Sequence, residues 1–234
     1  ADVTGGITKA LEIILGDTGA NPASIDSIMV GTTHFTNAVA QRKGLTRVAA
    51  VRICLPASAS LEPFIDWPDD LRHVVNGAIY MLEGGHEVDG RPIVPFDEDG
   101  MRRAARDIAA KGITSVGITS VFSPLTSEFE ERAAEIMAEE CPHAAVTLSH
   151  TLGRIGLLER ENATLLNACL RDLAHTTINA FTQAIAESGL KAQLYITQND
   201  GTVMLADVAE AYPVFSFASG PTNSMRGAAY LSQR

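Results

Sequence analysis

Helix and strand patterns alternate between residues 97 and 148, and this alternation limits the fold more than any other feature. Asp97 can cap a helix that Gly112 ends, and a buried strand pattern follows at 114–122. A second helix and the strand AVTLS at 145–149 repeat the order. Strands joined by helical crossovers lie parallel, with helices on the faces of the sheet. The pattern therefore predicts an α/β fold with a mainly parallel sheet flanked by helices.

The same criteria predict further elements on both sides of this segment. The apolar spacing indicates a long helix from Glu159 to Ser188, and Ser127 with Glu130 has the spacing of a capping box. Turn signals between residues 77 and 96, above all Asp89-Gly90, predict a small β element at the edge of the main sheet or beside it. The remaining predictions are a helix at 7–15, strands at 27–30, 47–54 and 194–197, and an extended FSF segment at 215–217 that leads into a last helix.

Composition excludes several classes of protein. A formal charge of −10 without a basic stripe argues against nucleic acid as a partner. No apolar run approaches the roughly 18 residues of a membrane helix, and the first residues do not resemble a signal peptide. Three widely separated cysteines have no metal-binding spacing, so we expect reduced thiols, no metal site and a cytoplasmic location.

Polar clusters follow four of the predicted strands. They are GTTHFTN at 31–37, Ser149-His150, TQNDGT at 197–202 and ASGPTNS at 218–224. Ligands of open parallel sheets bind beyond the carboxyl ends of the strands, so these clusters can share one cleft. Each is equally compatible with an ordinary turn or helix cap, and both interpretations stay open from the residues alone.

Individual residues within these clusters suggest chemistry. His150 directly follows a strand and is the best acid–base candidate, although a structural hydrogen bond explains it equally well. His34 lies where a helix dipole disfavours its protonation, and the other four histidines have the pattern of surface or loop residues. Ser219-Gly220-Pro221 fits either a tight turn or an anion site at the start of a helix.

Four stretches together resemble the hydantoinase/oxoprolinase family, of the hydantoinase A type: GTTHFTNAVAQRKG, SHTLGRIGLLERENATLLNA, YITQNDGTVM and FASGPTNSMRGAAYL. The resemblance implies an actin-like ATPase (ribonuclease-H-like) fold and ATP-dependent hydrolysis of a cyclic amide, such as a hydantoin or 5-oxoproline ring. Some members instead serve ATP-dependent carboxylation of ketones. The resemblance also implies ATP and Mg²⁺ as cofactors, a small-molecule substrate and a hydantoinase B type partner subunit or domain.

The two phosphate loops of that family, of the form Asp-x-Gly-Gly-Thr, do not occur in these 234 residues. By resemblance we expect an internal part of a longer enzyme, inactive and without bound ATP by itself. Residues 1–96 would then be the remainder of the N-terminal region with its β element. Residues 97–234 would be an α/β region that leads into the hydantoinase A domain.

The candidate site residues follow from the polar clusters and the resemblance. The catalytic candidates are His150, Asn199 and Ser219. The candidates that line a substrate or nucleotide cleft are Thr32, Thr33, His34, Asn37, Glu159, Asn162, Gln198, Asp200, Gly220 and Pro221. A non-catalytic binding or assembly module is an alternative, whereas the lack of G-x-G-x-x-G after a strand argues against a dinucleotide-binding domain.

Overall fold

The computed structural model describes residues 3–232 and divides the chain into two compact units. One unit contains Ala1–Lys43 and Arg171–Arg234, and the other contains Gly44–Leu170. The helices are α1 (Val3–Thr18), α2 (His34–Gln41), α3 (Asp69–Val75), α4 (Glu98–Ala110), α5 (Glu128–Glu140), α6 (Leu157–Glu187), α7 (Ala206–Ala211) and α8 (Ser219–Ser232). The strands are β1 (Ser27–Val30), β2 (Val48–Leu55), β3 (Asn76–Glu83), β4 (Ser115–Ser120), β5 (Ala145–Leu148), β6 (Gln193–Thr197) and β7 (Val203–Leu205).

The unit Gly44–Leu170, here called the central unit, is built on a four-stranded sheet. Its order is β3-β2-β4-β5, and every neighbouring pair is parallel. The inner strands VAAVRICL and SVGITS are buried almost throughout, as expected for a parallel sheet covered by helices. Apolar residues of α4 and α5 complete this core: Met101, Ala105, Ile108, Ala133, Ile136 and Met137. The predicted parallel α/β architecture is confirmed.

The predicted small β element has a different form. Asn76–Glu83 is a full edge strand that pairs parallel to β2, so the expected edge position is correct. The hairpin at Asp89-Gly90 is reduced to one isolated antiparallel bridge between His86 and Pro92. Gly90 has a φ of 86°, which a glycine accepts without strain and which lets this short segment reverse.

The unit formed by residues 1–43 and 171–234, here called the split unit, contains the second sheet. Its order is β1-β6-β7, with β1 parallel and β7 antiparallel to β6. The core packs the second half of α6 against this sheet through Ile178, Phe181, Ile185, Ile196 and Met204. The carboxyl ends of β1 and β6 therefore lie side by side, with the segment 31–37 after one and 198–202 after the other.

Two local predictions were wrong, and a third, that His86 is a surface or loop residue, was correct only for its place in the connection between β3 and α4. Residues 215–217 do not form an extended segment, because Phe215 and Ser216 belong to a 3₁₀ turn, Pro213–Ser216, and only Phe217 has an extended backbone. Ser127 precedes α5 but makes no side-chain cap, and Glu130 points into the protein rather than back to Ser127. His86 is buried at 1% exposure against Phe129, with a ring-centroid distance of 4.2 Å, and is not a surface residue.

Two further features match the composition. Cys54, Cys141 and Cys169 are free and buried. In the part of the chain that the structure describes, no helix is both long enough and apolar enough to cross a membrane.

Candidate functional site

The segment after β1 builds one wall of a polar cluster in the split unit. Thr33 precedes α2 and accepts a hydrogen bond from the side-chain amide of Asn37 at 3.3 Å. Thr32 accepts the backbone N–H of His34 at 3.1 Å, and its hydroxyl lies 3.3 Å from Nδ1 of that histidine. Thr33, His34 and Asn37 are exposed, so this wall faces solvent with hydroxyl, imidazole and amide groups.

The turn between β6 and β7 contributes the second wall. Asn199 donates its backbone N–H to the Phe215 carbonyl at 2.8 Å, and its carbonyl accepts the Thr222 hydroxyl at 2.8 Å. The side chain of Asn199 is exposed. Asp200 accepts the N–H and the hydroxyl of Thr202, at 2.8 and 2.7 Å, and these bonds with nearby Arg226 lower its pKa. The turn is therefore fixed to the start of α8 and carries an exposed amide side chain.

The start of α8 lies between these walls. Ala218 has a left-handed φ of 59° and donates its N–H to the Thr36 hydroxyl at 3.2 Å. Ser219 is 1% exposed, and its hydroxyl has no hydrogen-bond partner among residues 3–232. A Cβ on Gly220 would lie 3.6 Å from the methyl of Thr33. The Ser219-Gly220-Pro221 segment is thus the first turn of a helix against α2, not a turn after a strand.

Close backbone packing supports this arrangement. The Asn223 side-chain amide donates to the Thr197 hydroxyl at 2.9 Å, across the start of the segment after β1. A Cβ on Gly31 would come within 2.9 Å of the Asn223 amide nitrogen, so only glycine fits here without a shift. The cluster therefore brings together residues from the ends of two parallel strands and from the starts of two helices.

His150 belongs to a second polar network, in the central unit. Its ring is 17% exposed and lies between two carboxylates, with Nδ1 2.8 Å from Glu130 and Nε2 3.0 Å from Glu131. The hydrogen bond to Glu130 outweighs burial and raises the pKa of His150. Two acceptors at the two ring nitrogens suit the protonated imidazolium, in which both nitrogens are donors.

Glu130 is the centre of this network and is fully buried. Its carboxylate accepts the backbone N–H of Ser120 at 2.8 Å, the backbone N–H of His150 at 3.0 Å and the hydroxyl of Ser149. Burial raises the pKa of Glu130, but the hydrogen bonds from His150 and Ser149 outweigh it, so the net pKa is lowered. The carboxylate is held ionised inside the protein.

Arg160 closes the network from α6. It is 2% exposed, donates to the Ser149 hydroxyl at 2.8 Å, and also donates to the carbonyl of Ser120. Two more bonds of 2.9 Å reach the carbonyls of Arg154 and Ile155. Burial lowers the pKa of Arg160. The guanidinium therefore fixes the loop between β5 and α6.

Two other predicted cleft residues also lie in the central unit. Glu159 is exposed and lines an open cavity of about 430 Å³ with Leu152, Arg154 and Arg160. Asn162 accepts the indole N–H of Trp67 at 2.8 Å, which occupies its amide oxygen in a structural contact.

The structure separates the candidates by unit. The split unit contains Thr32, Thr33, His34, Asn37, Gln198, Asn199, Asp200, Ser219, Gly220 and Pro221, and the central unit contains His150, Glu159 and Asn162. Convergence of the two groups on one cleft stays a prediction. Sequence reasoning missed Glu130 and Arg160, because Glu130 looked like part of a helix cap. Within residues 3–232, no group of three or more His, Cys, Asp or Glu side chains could hold a metal ion.

The fold places the chain among α/β proteins of the actin-like ATPase type. A nucleotide-free structure of acetone carboxylase matches with a TM-score of 0.74 and 22% identity, over 94% of this chain and 34% of that one. The ATP-dependent caprolactamase from Pseudomonas jessenii matches with a TM-score of 0.78 and 21% identity, over 97% of this chain and 35% of that one.

The chain belongs to the hydantoinase/oxoprolinase family. The model of the hydantoinase/oxoprolinase N-terminal region matches residues 1–141, and the hydantoinase/oxoprolinase model matches residues 160–234. The acetophenone carboxylase gamma subunit of Aromatoleum aromaticum is 24% identical over 151 residues, which are 62% of this chain and 20% of the subunit. The curated relatives that it matches are several times longer, because it spans only 20% to 23% of their lengths.

Proposed function

We propose that this chain is part of an ATP-dependent hydrolase that opens a cyclic amide of the hydantoin or 5-oxoproline type. The observation that carries the proposal is the polar cluster in the split unit, where exposed amide and hydroxyl side chains surround the start of α8. Amide chemistry needs such groups, because a negative oxygen develops in the transition state and fixed donors stabilise it. Membership of the family and similarity to an ATP-dependent caprolactamase support the choice of an amide substrate.

We propose a role for each of the three catalytic candidates. Ser219 and the free amides of the first turn of α8 would stabilise the developing oxyanion. Asn199, whose side chain is exposed beside them, would orient the ring by donating and accepting hydrogen bonds. His150 would act as a proton donor, since its raised pKa and its two carboxylate partners favour the charged form.

ATP and Mg²⁺ enter this proposal through the family. The start of α8 has no acidic residue in its first turn and suits a phosphoryl group, so Gly220 is the residue that would contact it. When bound, ATP would supply a phosphoryl group, and its transfer would couple hydrolysis of the amide to hydrolysis of ATP. No acidic cluster within residues 3–232 fits Mg²⁺, and we assign it no ligand from this chain.

A second candidate function is ATP-dependent carboxylation of a ketone. Similarity to the acetophenone carboxylase gamma subunit and to acetone carboxylase favours it. That relative is named as a subunit, which supports a partner subunit for both candidates. We propose a partner of the hydantoinase B type from the family resemblance alone. The same cluster would then stabilise an enolate oxygen instead of an amide-derived one.

Substrate-dependent ADP formation by the complete enzyme tests the proposal. Hydantoin, 5-oxoproline and caprolactam form one set of substrates, and acetone or acetophenone with bicarbonate forms the other, with products identified by mass spectrometry. We expect ADP release and a ring-opened product with a cyclic amide. ADP release only with a ketone and bicarbonate would establish the carboxylase instead, and none with either set would favour a non-catalytic module.

The role of His150 is tested in the same assay. His150→Ala should lower kcat by roughly a hundredfold, the scale of a lost general acid. The measurement is made well below the unfolding temperature of the variant, because the contacts to Glu130 also stabilise the fold. A variant that unfolds early but keeps its specific activity would make His150 a structural residue.

A further inference from the structure

One edge of the central sheet is open in the part of the chain that the structure describes. β3 is the outer strand and pairs with β2 alone. Residues 78–82 pair with 49–53 in unbroken register, so this stretch of the edge is regular. Within residues 3–232, the backbone groups of 77–82 that point away from β2 neither donate nor accept a hydrogen bond. Such an edge is a template for a further strand.

The residues of this edge do not prevent such pairing. Natural edge strands are often protected by lysine, proline or inward-pointing charges. Residues 77–82 have the sequence GAIYML, which contains neither a charge nor a proline. An open groove of about 510 Å³ borders Tyr80, Met81 and Leu82, and the rest of its wall is α4 with its cap Asp97. The edge of β3 and the adjoining side of α4 are therefore open together.

The side of α4 next to this groove carries a row of charges with alternating sign, here called the charge row. Its members are Asp99, Arg103, Asp107 and Lys111, which lie four residues apart and therefore on one side of the helix. Arg103 and Asp107 line the groove. The signs are antisymmetric about Ala105, the midpoint of the row, because each acidic position has a basic one at the same distance on the other side.

An antisymmetric row of this kind is complementary to a second copy of itself. When two such helices lie antiparallel about a two-fold axis at Ala105, Asp99 faces Lys111 of the second copy. Arg103 faces Asp107 of the second copy in the same way, and the symmetry makes each contact twice. An interface with an unrelated protein would not require this order of signs. The charge row therefore favours a second copy of this chain as the occupant of the edge.

The contacts that these side chains make within one chain do not oppose this pairing. Arg103 lies 3.7 Å from Asp97 and is 70% exposed, and Asp107 with Lys111 forms an exposed pair one helical turn apart. Exposed ion pairs contribute little to stability, so their members can turn to new partners at small cost. The remaining arginines of α4 are held against Glu140 of α5. The charge row is thus available to a second molecule.

The same two-fold axis passes through the middle of β3. The Tyr80 hydroxyl donates to Asp107 at 2.6 Å, so these two residues lie side by side. The cap Asp97 donates its N–H to the Glu83 carbonyl at 3.2 Å, so α4 starts at the end of β3 and runs back along it. From position 107 to the midpoint of the row is about 3 Å along the helix, or about one residue along the strand. The axis therefore meets β3 near Met81, inside the regular stretch.

We propose that two copies of this protein associate through β3 and the charge row of α4. The two β3 strands lie antiparallel, so that their outward backbone groups pair and the two central sheets continue as one. Tyrosine and methionine are enriched at protein interfaces, and Tyr80 and Met81 lie next to the axis. The association needs no catalytic activity and is independent of the proposed function.

Charge reversal in the row provides the central test. Arg103→Glu and Asp107→Lys each reverse one partner of a symmetric contact, whereas the double variant exchanges the two signs and keeps them opposite. Arg91→Glu is the matched control, because Arg91 is 78% exposed and lies beside Asp89, but outside the row. Sedimentation equilibrium of the complete protein gives the dissociation constant of the dimer, and thermal unfolding checks that each variant is folded.

We expect the unmodified protein to form a dimer. Each single reversal should raise its dissociation constant about tenfold or more, because two attractive contacts become repulsive at once. The double variant should return towards the unmodified value, and Arg91→Glu should leave it unchanged. Hydrogen exchange of the backbone amides of 77–82 should be slower in the dimer than after dilution to the monomer.

Several results would overturn the proposal. One is a monomeric unmodified protein, and another is a dimer whose dissociation constant is the same for Arg103→Glu and Arg91→Glu. A double variant that associates as weakly as the single ones would exclude the contact between Arg103 and Asp107. Equal exchange of residues 77–82 in dimer and monomer would exclude pairing of the β3 edges. Protection of these amides only when a different subunit is added would assign the edge to that subunit instead.

Discussion

Replacing Glu130 by glutamine should destabilise the central unit strongly. The carboxylate is fully buried and accepts hydrogen bonds from Ser120, Ser149 and twice from His150. The amide oxygen of glutamine can keep the first two, but its NH₂ group would face the two donors of His150. Glu130→Gln therefore removes one partner of a buried ion pair, which costs about 3–5 kcal/mol in general.

The structure places this variant at the lower end of that range. His150 is 17% exposed, so water partly solvates the imidazolium left behind, and about 3 kcal/mol is the expected loss in free energy of unfolding. For a chain of this size 1 kcal/mol shifts Tm by about 2–4 °C, so Tm should fall by about 6–12 °C. Trp67, the one tryptophan of the sequence, lies buried in the same unit and reports the transition by fluorescence.

The pH dependence gives a second measure of the same pair. The folded pKa of His150 is raised above 6.5, so its contribution is complete below pH 6.5 and is lost as the pH rises through the folded pKa. The folded pKa of Glu130 is lowered below 4.5, so its contribution is complete above pH 4.5 and is lost as the pH falls through the folded pKa. Stability from the pair should be greatest between pH 4.5 and 6.5, and Glu130→Gln should flatten this maximum.

Glu131→Gln is the matched control. Glu131 is the neighbouring residue, contacts the other ring nitrogen of His150 and is 55% exposed, so its loss should cost less than about 1 kcal/mol. A Glu130→Gln protein with the Tm and pH profile of the Glu131→Gln protein would refute the assignment of Glu130 as the buried partner.

Three further substitutions test other contacts of the central unit by urea unfolding. Arg52→Met should cost about 3–5 kcal/mol, because it leaves the buried Glu161 carboxylate without its charge partner. Asn162→Ala should cost about 1 kcal/mol, because the Trp67 indole loses the acceptor at 2.8 Å. Gly84→Ala should cost more than about 2 kcal/mol, because φ is 137° and the new Cβ would lie 2.5 Å from a β2 side chain.

Each of these three has a comparison that isolates its cause. Arg91→Met removes an exposed arginine from its ion pair with Asp89 and should cost less than about 1 kcal/mol. Gly112→Ala has a φ of 64° but nothing within 4 Å, so it measures backbone strain without the clash of Gly84→Ala. An equal loss in free energy of unfolding for Arg52→Met and Arg91→Met would contradict the role of the buried ion pair. An equal loss for Gly84→Ala and Gly112→Ala would contradict the role of the clash. For Asn162→Ala, an unchanged fluorescence emission of Trp67 would show that the indole N–H does not donate a hydrogen bond to Asn162 in solution.

Local sequence patterns predicted most of the central unit. Asp97 was expected to cap α4, and its carboxylate accepts the N–H of Gly100 at 2.8 Å. The strands β2 and β4 were expected from runs of apolar residues, and both lie in the middle of a parallel sheet. These features depend on residues that are close in sequence. The spacing of their apolar side chains predicts whether a helix or a strand would bury them.

Long-range partners could not be predicted in this way. Glu130 and Ser127 have the spacing of a capping box, but Glu130 instead meets Ser149 and His150 about 20 residues further along the chain. The direction of the Glu130 side chain depends on the ends of β4 and β5, which bring Ser120, Ser149 and His150 next to α5. A buried carboxylate needs hydrogen-bond donors because its burial is costly without them, and only the assembled sheet provides the four donors of Glu130.

The sequence by itself therefore determined the α/β class, the alternation of helices and strands that implies a parallel sheet, and the family. Each of these depends on local periodicity or on short motifs. Tertiary structure decided which polar residues meet. The segment 215–217 looked extended because its alternating apolar residues match a strand, yet Phe215 and Ser216 lie in a 3₁₀ turn. The start of α8 then lies against Thr33, which directly precedes α2 and is more than 180 residues away in the chain, next to the ends of the parallel strands β1 and β6. Hydrogen bonding between distant strands is a property of the folded chain, and no local spacing records it.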